Sequence, residues 1–243
     1  MIDSPEKTHH ALVVGASSGL GFRVAEKLAK LGPVTALARR TEKMAPLADI
    51  GITPMACDVS DLDSIASIVQ LAVAERGKID KLVYCAGLQS IKPMRGLKVD
   101  DINMVVTVNL TAAICFGRLF ASPKFSTGDA VFCAVSSIAA QRPEPAIIPY
   151  AAAKAGLDAL IKGMARECAP RRAFGVAPGW LESEMTQAFP RVYNDAFKER
   201  LEKESPSGIA TIETVSEMMV HLLSDNARHL TGQIVTIDGG ASL

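Results

Sequence analysis

No stretch of 18 consecutive apolar residues occurs in the 243-residue chain, so a membrane-spanning helix is not expected. No sign of charge dominates either: 26 Lys and Arg balance 26 Asp and Glu. Zero net charge gives no support to a nucleic-acid or anionic-membrane surface. Residues 1–10 are polar and lack the basic-then-apolar order of a secretory leader. The five cysteines, Cys57, Cys85, Cys115, Cys133 and Cys168, are odd in number and show no CxxC spacing. Their apolar neighbours point to buried free thiols in a cytoplasmic protein, not to disulfides or a zinc site. His9, His10, His221 and His229 match no metal-ligand spacing, so no metal centre is expected. Linkers, internal repeats and low-complexity blocks are also missing, and a single domain over residues 1–243 is the economical reading.

What the chain does have is alternation. Apolar runs at 10–14, 34–38, 52–57, 80–87, 130–135, 174–177 and 233–237 read as buried strands. Between them lie helical patterns at 22–31, 62–76 (with Ser60-Asp61 as the cap), 97–109 continuing through 110–120, 150–168 and 214–223. That rhythm predicts an α/β fold, a Rossmann-like doubly wound parallel sheet with helices on both faces. Ligands in such folds sit beyond the carboxyl ends of the strands.

Three features carry chemistry. Gly15-Ala-Ser-Ser-Gly-Leu-Gly21 follows the first strand and opens the first helix. Its G-x-x-x-G-x-G spacing is neither the G-x-G-x-x-G fingerprint nor a phosphate-loop motif. A tight glycine turn there would still bring backbone N–H groups and a helix N-terminus to a diphosphate, the other reading being a structural turn. Arg39-Arg40 ends the second strand, with no carboxylate until Glu42. An NAD-preferring site places Asp or Glu there for the ribose hydroxyls. The guanidinium pair instead suits the 2′-phosphate of NADP, unless it is simply surface charge. Tyr150 and Lys154 lie four residues apart, one helical turn, on one face. Alone they read as a surface pair. Beside a cofactor site, the ammonium would draw the phenol pKa down towards neutral pH, where it can exchange protons with an alcohol or carbonyl oxygen.

Gly15, Gly19, Gly87, Ser137, Tyr150, Lys154 and Pro178-Gly179 all fall at strand ends or just beyond. Together they resemble the short-chain dehydrogenase/reductase family, over about residues 10–240. The loop carrying Gly15, Ser17, Ser18, Gly19, Leu20 and Gly21 is similar to its cofactor loop. Asn109 within Val108-Asn-Leu110 resembles its mid-helix asparagine. Ser137, thirteen residues before Tyr150, matches its serine better than Ser136 does. Residues 230–240 are similar to its closing strand. The resemblance implies that Tyr150 donates a proton to the carbonyl oxygen and that Ser137 holds that oxygen. It implies that Lys154 binds the nicotinamide ribose and lowers the Tyr150 pKa, while Asn109 holds a water linking Lys154 to solvent. Asp58 would meet the adenine amino group, Val59 its face, and Ala86 and Gly87 would pass close to the cofactor.

Two departures stand out. Cys85-Ala86-Gly87 replaces the family's Asn-Ala-Gly, which should cost a local hydrogen bond. The segment 170–177 is about two residues short and lacks the family's asparagine, so a short or altered sixth strand is expected.

The overall pattern is most similar to the 3-oxoacyl-(acyl carrier protein) reductase branch. This implies NADPH, an acyl substrate bound to acyl carrier protein or CoA, and a homodimer or homotetramer. Specificity would come from 88–96, 138–149 and a lid at about 180–208. The lid's Trp180, Leu181, Met185, Phe189, Val192, Tyr193 and Phe197 could equally cover core or a subunit contact. Arg171, Arg172 and Lys124 would read an acidic carrier protein at the pocket mouth, or form a solvated rim. Open beside this are an NADP-linked enzyme of a small or cyclic ketone or sugar-like alcohol, and a non-catalytic NADP-binding scaffold.

Overall fold

The computed structural model describes residues 10–243; the leader reading of residues 1–9 falls outside them. The chain begins with β1 (His10–Val14), α1 (Gly19–Ala29) and β2 (Val34–Ala38). A short α2 (Ala45–Ala48), β3 (Thr53–Ala56), α3 (Ile65–Arg76) and β4 (Ile79–Tyr84) follow. Next come α4 (Val99–Val106), α5 (Ala112–Ala121), β5 (Ser126–Val135), α6 (Ile148–Glu167) and β6 (Arg172–Pro178). The chain closes with α7 (Glu184–Gln187), α8 (Asp195–Glu204), α9 (Ile212–Leu223) and β7 (Ile234–Ile237).

The seven strands form one parallel sheet in the order β3-β2-β1-β4-β5-β6-β7. Both faces are covered, which is why the strands read as unbroken apolar runs and not as alternating ones. Leu12 and Val14 pack with α3, α5 and α6 on one face. Ala11 and Val13 pack with α1, α2 and α9 on the other. The sheet order reverses between β1 and β4, and there the strand ends open a crevice.

Several boundaries differ from the sequence expectation for identifiable reasons. Helix α3 starts at Ile65, because Ser60 turns back and donates its hydroxyl to Asp58 at 2.7 Å instead of capping a helix. Helix α6 begins two residues early, since Pro149 fits the first turn of a helix, where no N–H is needed. Strand β5 starts at Ser126, with its exposed Gly128-Asp129 looped out where the register with β4 shifts. Strand β6 is not short. It has seven buried residues, because Arg172 enters the sheet with its guanidinium donating to the Leu222, Ser224, Ala227 and Leu230 carbonyls.

The 97–120 pattern is one continuous helical rod, but it passes through a π-turn at Thr107–Thr111. By length and apolar content the 23-residue span Val99–Ala121 could cross a membrane, which the criterion of uninterrupted runs did not register. It is instead a core helix: Ala112, Ala113, Phe116, Leu119 and Phe120 pack into the sheet. All five cysteines are free thiols, with Cys57, Cys133 and Cys168 buried and Cys85 and Cys115 half-buried.

Candidate active site

The crevice at the carboxyl ends of the strands is a cleft of about 1140 Å³. Every expected cofactor loop reaches it: Gly15, Ser17, Ser18, Gly19, Leu20 and Gly21, then Arg39, Arg40, Asp58, Val59, Ala86, Gly87, Pro178 and Gly179.

At its floor, the glycine spacing has a steric cause. Gly15 has φ +86°, and a Cβ there would stand 2.6 Å from the Ala86 amide nitrogen. Gly19 is also left-handed at φ +58°, and a Cβ on Gly21 would run into the Gly15 carbonyl oxygen. The turn is thus folded onto itself and onto the end of β4, a cradle that any side chain would fill. Ser18 precedes α1 in an extended conformation without a side-chain cap, so the first N–H groups of this 11-residue helix stay available to an anion. These features fit a dinucleotide. Cys85, half-buried overall, packs beneath the loop, near where a Gly21 Cβ would be, and desolvation pushes its thiol up to about 12. It acts as an apolar filler there.

The adenosine end is open. Arg39 is exposed, and Asp58 accepts from the Ser60 N–H at 2.9 Å as well as from its hydroxyl, which holds its carboxyl below the usual range. Arg40 donates to Ser17 Oγ at 3.2 Å and to Glu184 at 2.9 Å, and Lys43 donates to the other Glu184 oxygen at 2.5 Å. Glu184 and Lys43 were missed by sequence reasoning. Glu184 lies 144 residues from Arg40, and no local signal links them.

The reacting end is more shielded, with Lys154 and Asn109 buried behind a half-buried Tyr150. Tyr150 lies one helical turn from Lys154 on α6, with the ammonium over the phenol ring at 5.5 Å from its centroid. Lys154 is 3 % exposed and donates to the Val135 carbonyl at 2.7 Å. Desolvation pulls the Lys154 pKa down to about 8, with Cys85 and Asp158 opposing. The Tyr150 phenol is pushed up to about 12 by burial, with the Ser137 hydroxyl pulling the other way. The phenol therefore moves opposite to the expected drop. The ammonium faces the ring and spends a hydrogen bond on the backbone, while burial dominates. A phenol that keeps its proton at neutral pH is in the state a proton donor requires.

Asn109 sits inside the π-turn, fully buried, donating to the Leu88 carbonyl at 2.7 Å and the Val105 carbonyl at 2.9 Å. Its amide thus bridges a carbonyl of its own helix and one just beyond β4, in a π-turn of the kind often found at functional sites. Around Gly87, where a Cβ would sit 3.3 Å from Asn109 Oδ1 and 3.8 Å from Lys154 Nζ, the two side chains converge. Ser137 and Ser136 part company. Ser137 faces the cleft and caps the next turn through the Ala139 N–H at 3.1 Å. Ser136 is buried and donates to Asp158 at 2.5 Å.

The three segments expected to set specificity all reach the cleft, through Leu88, Gln89, Ile91, Ile138, Ile147 and Phe189 among others. Met104 and Val108, contributed by the long central helical rod, join them unforeseen. In the 180–208 segment, Trp180, Tyr193 and Phe197 cluster with centroids 5.1–6.2 Å apart, Tyr193 and Phe197 edge-on and Trp180 tilted to both, and Tyr193 donates to Gln89 at 3.0 Å. The carrier-reading trio is elsewhere. Arg171 donates to Ser126 and Thr127, Arg172 is buried, and Lys124 lies over Phe125, all at the amino ends of β5 and β6. That puts them at the opposite end of this subunit's sheet, roughly 20 Å of strand away. They do not line the pocket mouth.

A family model described as enoyl-(acyl carrier protein) reductase matches residues 15–242. The chain is 30% identical to the 3-oxoacyl-(acyl-carrier-protein) reductase FabG of Rickettsia conorii, covering 99% of this chain and 98% of that protein. It is 28% identical to gluconate 5-dehydrogenase of Gluconobacter oxydans, covering 96% and 94%. Among solved structures, a 3-ketoacyl-(acyl-carrier-protein) reductase from Brucella melitensis complexed with NADH superposes with TM-score 0.88 and 26% identity. That match covers 99% of this chain and all of the other.

Proposed function

The chain belongs to the short-chain dehydrogenase/reductase family and is an oxidoreductase using a nicotinamide cofactor; within that class we propose an NADPH-dependent reductase of a 3-oxoacyl thioester. The observation that carries the reading is the placement of Tyr150 beside Ser137 in a cleft walled largely by apolar side chains. A bound nicotinamide supplies the hydride to the carbonyl carbon. Tyr150 gives its proton to the carbonyl oxygen, leaving a 3-hydroxyacyl product, while Ser137 donates a hydrogen bond that holds the oxygen. Lys154, already desolvated, is placed to bind the nicotinamide ribose and to help return a proton to Tyr150. Asn109 holds the 88 segment against the rod so that this end keeps its shape. Arg39 and Arg40 read the 2′-phosphate, which selects NADPH over NADH.

The wall of Ile91, Met104, Val108, Ile147 and Phe189 suits an acyl chain. The thioester's carrier is acyl carrier protein or CoA. An acidic carrier would meet Arg142 and Arg200 on the cleft wall, not the Arg171–Arg172–Lys124 trio. Exposed Val99, Ile102 and Ile114 on the α4–α5 rod support association of copies into a homodimer or homotetramer. Free thiols suit a reducing, cytoplasmic setting. The polar Gln89–Tyr193 pair and the similarity to gluconate 5-dehydrogenase support a second reading, a small or cyclic ketone or a sugar-like alcohol.

A panel of 3-oxoacyl thioesters, free ketones and sugar acids, each tried with NADPH and NADH, tests the proposal. The thioester with NADPH should be turned over fastest. Equal or faster rates on ketones or sugar acids favour the second reading, and NADPH binding with no turnover of any carbonyl points to a scaffold.

A further inference from the structure

Two segments meet at the cofactor's adenosine end that are far apart in sequence and different in duty. Arg40 comes from the end of β2, and with Ser17 of the glycine turn it lines the cleft. Glu184 comes from the 180–208 segment, as the first residue of α7, positioned by the Ser183 cap in front of it. Its two carboxylate oxygens are divided between the cations, one on Arg40 at 2.9 Å and one on Lys43 at 2.5 Å. The guanidinium and ammonium that share this carboxylate offer it the same donors that a phosphate monoester would take. Glu184 also lines the cleft wall, so the ion pair stands inside the cofactor's space.

The residue after Glu184 ties this contact to the reacting end. Met185 Cε lies 3.5 Å from where a Gly87 Cβ would be, beside the Asn109 amide and the Lys154 ammonium. Helix α7 therefore touches the phosphate-reading cations with one residue and the proton-transfer end with the next. An anion that takes Arg40 and Lys43 away from Glu184 removes one tether of the segment covering the substrate pocket, leaving the Tyr193–Gln89 bond.

We infer that Glu184 is a cofactor-discriminating residue, an internal carboxylate that occupies the Arg40–Lys43 pair and is displaced by the 2′-phosphate of NADPH but not by the 2′-hydroxyl of NADH. The inference rests on the NADPH reading of the arginine pair and deepens it. Displacement is affordable because the partners are 41–44 % exposed, and ion pairs at such positions are worth little in water. A dianionic phosphate outcompetes a single carboxylate for the same two cations. The carboxylate sets a threshold that a nucleotide without the 2′-phosphate does not cross, so the Glu184 contact of α7 is released by one cofactor and not by the other.

The test uses the full chain and two fragments, adenosine 2′,5′-bisphosphate and AMP, which differ only in the 2′-phosphate. Glu184→Gln should bind the bisphosphate about three- to ten-fold more tightly than wild type, the fold-change equivalent to one or two exposed ion pairs, with AMP unchanged within about two-fold. In wild type, the bisphosphate but not AMP should speed hydrogen exchange at amides 184–188. Unchanged or weaker bisphosphate binding in Glu184→Gln overturns the inference while leaving the NADPH reading intact. Weaker AMP binding in that variant overturns it too, by showing that Glu184 serves the ribose as an NAD-type acceptor. A wild-type protein that binds both fragments equally overturns the NADPH reading, and the inference with it.

Discussion

The two ends of the cleft are built on opposite physical terms. At the reacting end Tyr150, Lys154 and Asn109 are held by strand termini and a 20-residue helix, with Lys154 and Asn109 nearly or wholly shielded from water. Desolvation sets protonation there, raising the phenol and lowering the ammonium. At the adenosine end Arg39, Arg40, Lys43 and Glu184 are exposed or half-exposed, and the interactions are exchangeable ion pairs. The difference teaches a division of labour. Chemistry needs fixed groups in a low-dielectric setting, whereas choosing between two cofactors needs contacts cheap enough to swap.

The contrast can be broken most sharply at Tyr150. Tyr150→Phe should lower carbonyl reduction by about 10²–10⁴-fold, the range for removing a positioned proton donor. NADPH affinity in that variant, measured by nucleotide fluorescence, should stay within about two-fold; unchanged turnover would remove Tyr150 from the mechanism. A smaller effect is expected at the open end. Arg40→Ala should weaken NADPH binding about ten-fold and NADH binding no more than about two-fold, as expected for loss of a charge-assisted pair. Equal losses for both cofactors would mean that Arg40 does not read the phosphate. Smaller still is the salt effect. Raising ionic strength from 0.05 to 0.5 M should cut the NADPH-over-NADH preference by about three-fold, while the pH profile of turnover at saturating cofactor barely moves. A preference indifferent to salt would contradict the assignment of that end to exposed ion pairs.

Much of this was legible in the sequence because the buried elements announce themselves locally. The apolar runs gave all seven strands, and the glycine spacing marked a turn whose steric need is visible in Gly15 and Gly21. Tyr150 and Lys154 share a helix face because four residues is one turn. What stayed hidden depends on tertiary contact. Glu184 meets Arg40 across 144 residues, and Arg172 disappears into carbonyls of the α9 end, so that a basic pair read as a rim is structural. The π-turn at Asn109 has no sequence signature of its own. The direction of the Tyr150 shift stays hidden for the same reason: helical spacing reveals the neighbouring charge but not the desolvation that outweighs it.

Burial at the reacting end carries a cost in stability, and Lys154 is where it can be measured. Its pKa falls from the ordinary 10.5 to about 8 on folding. Below pH 8 both folded and unfolded chains hold the proton, and the full penalty for burying the ammonium applies. Between pH 8 and 10.5 the unfolded chain keeps a proton that the folded chain has released, so this penalty fades as pH rises. Denaturant unfolding of wild type and Lys154→Met, without cofactor, at pH 7 and pH 10 is therefore the direct test. The variant should be more stable by about 2 kcal/mol at pH 7, with the shift discounted for the lost bond to Val135, and the gap should shrink at pH 10. A variant no more stable than wild type at pH 7, or a gap that does not change with pH, would contradict the claim that desolvation governs the reacting end.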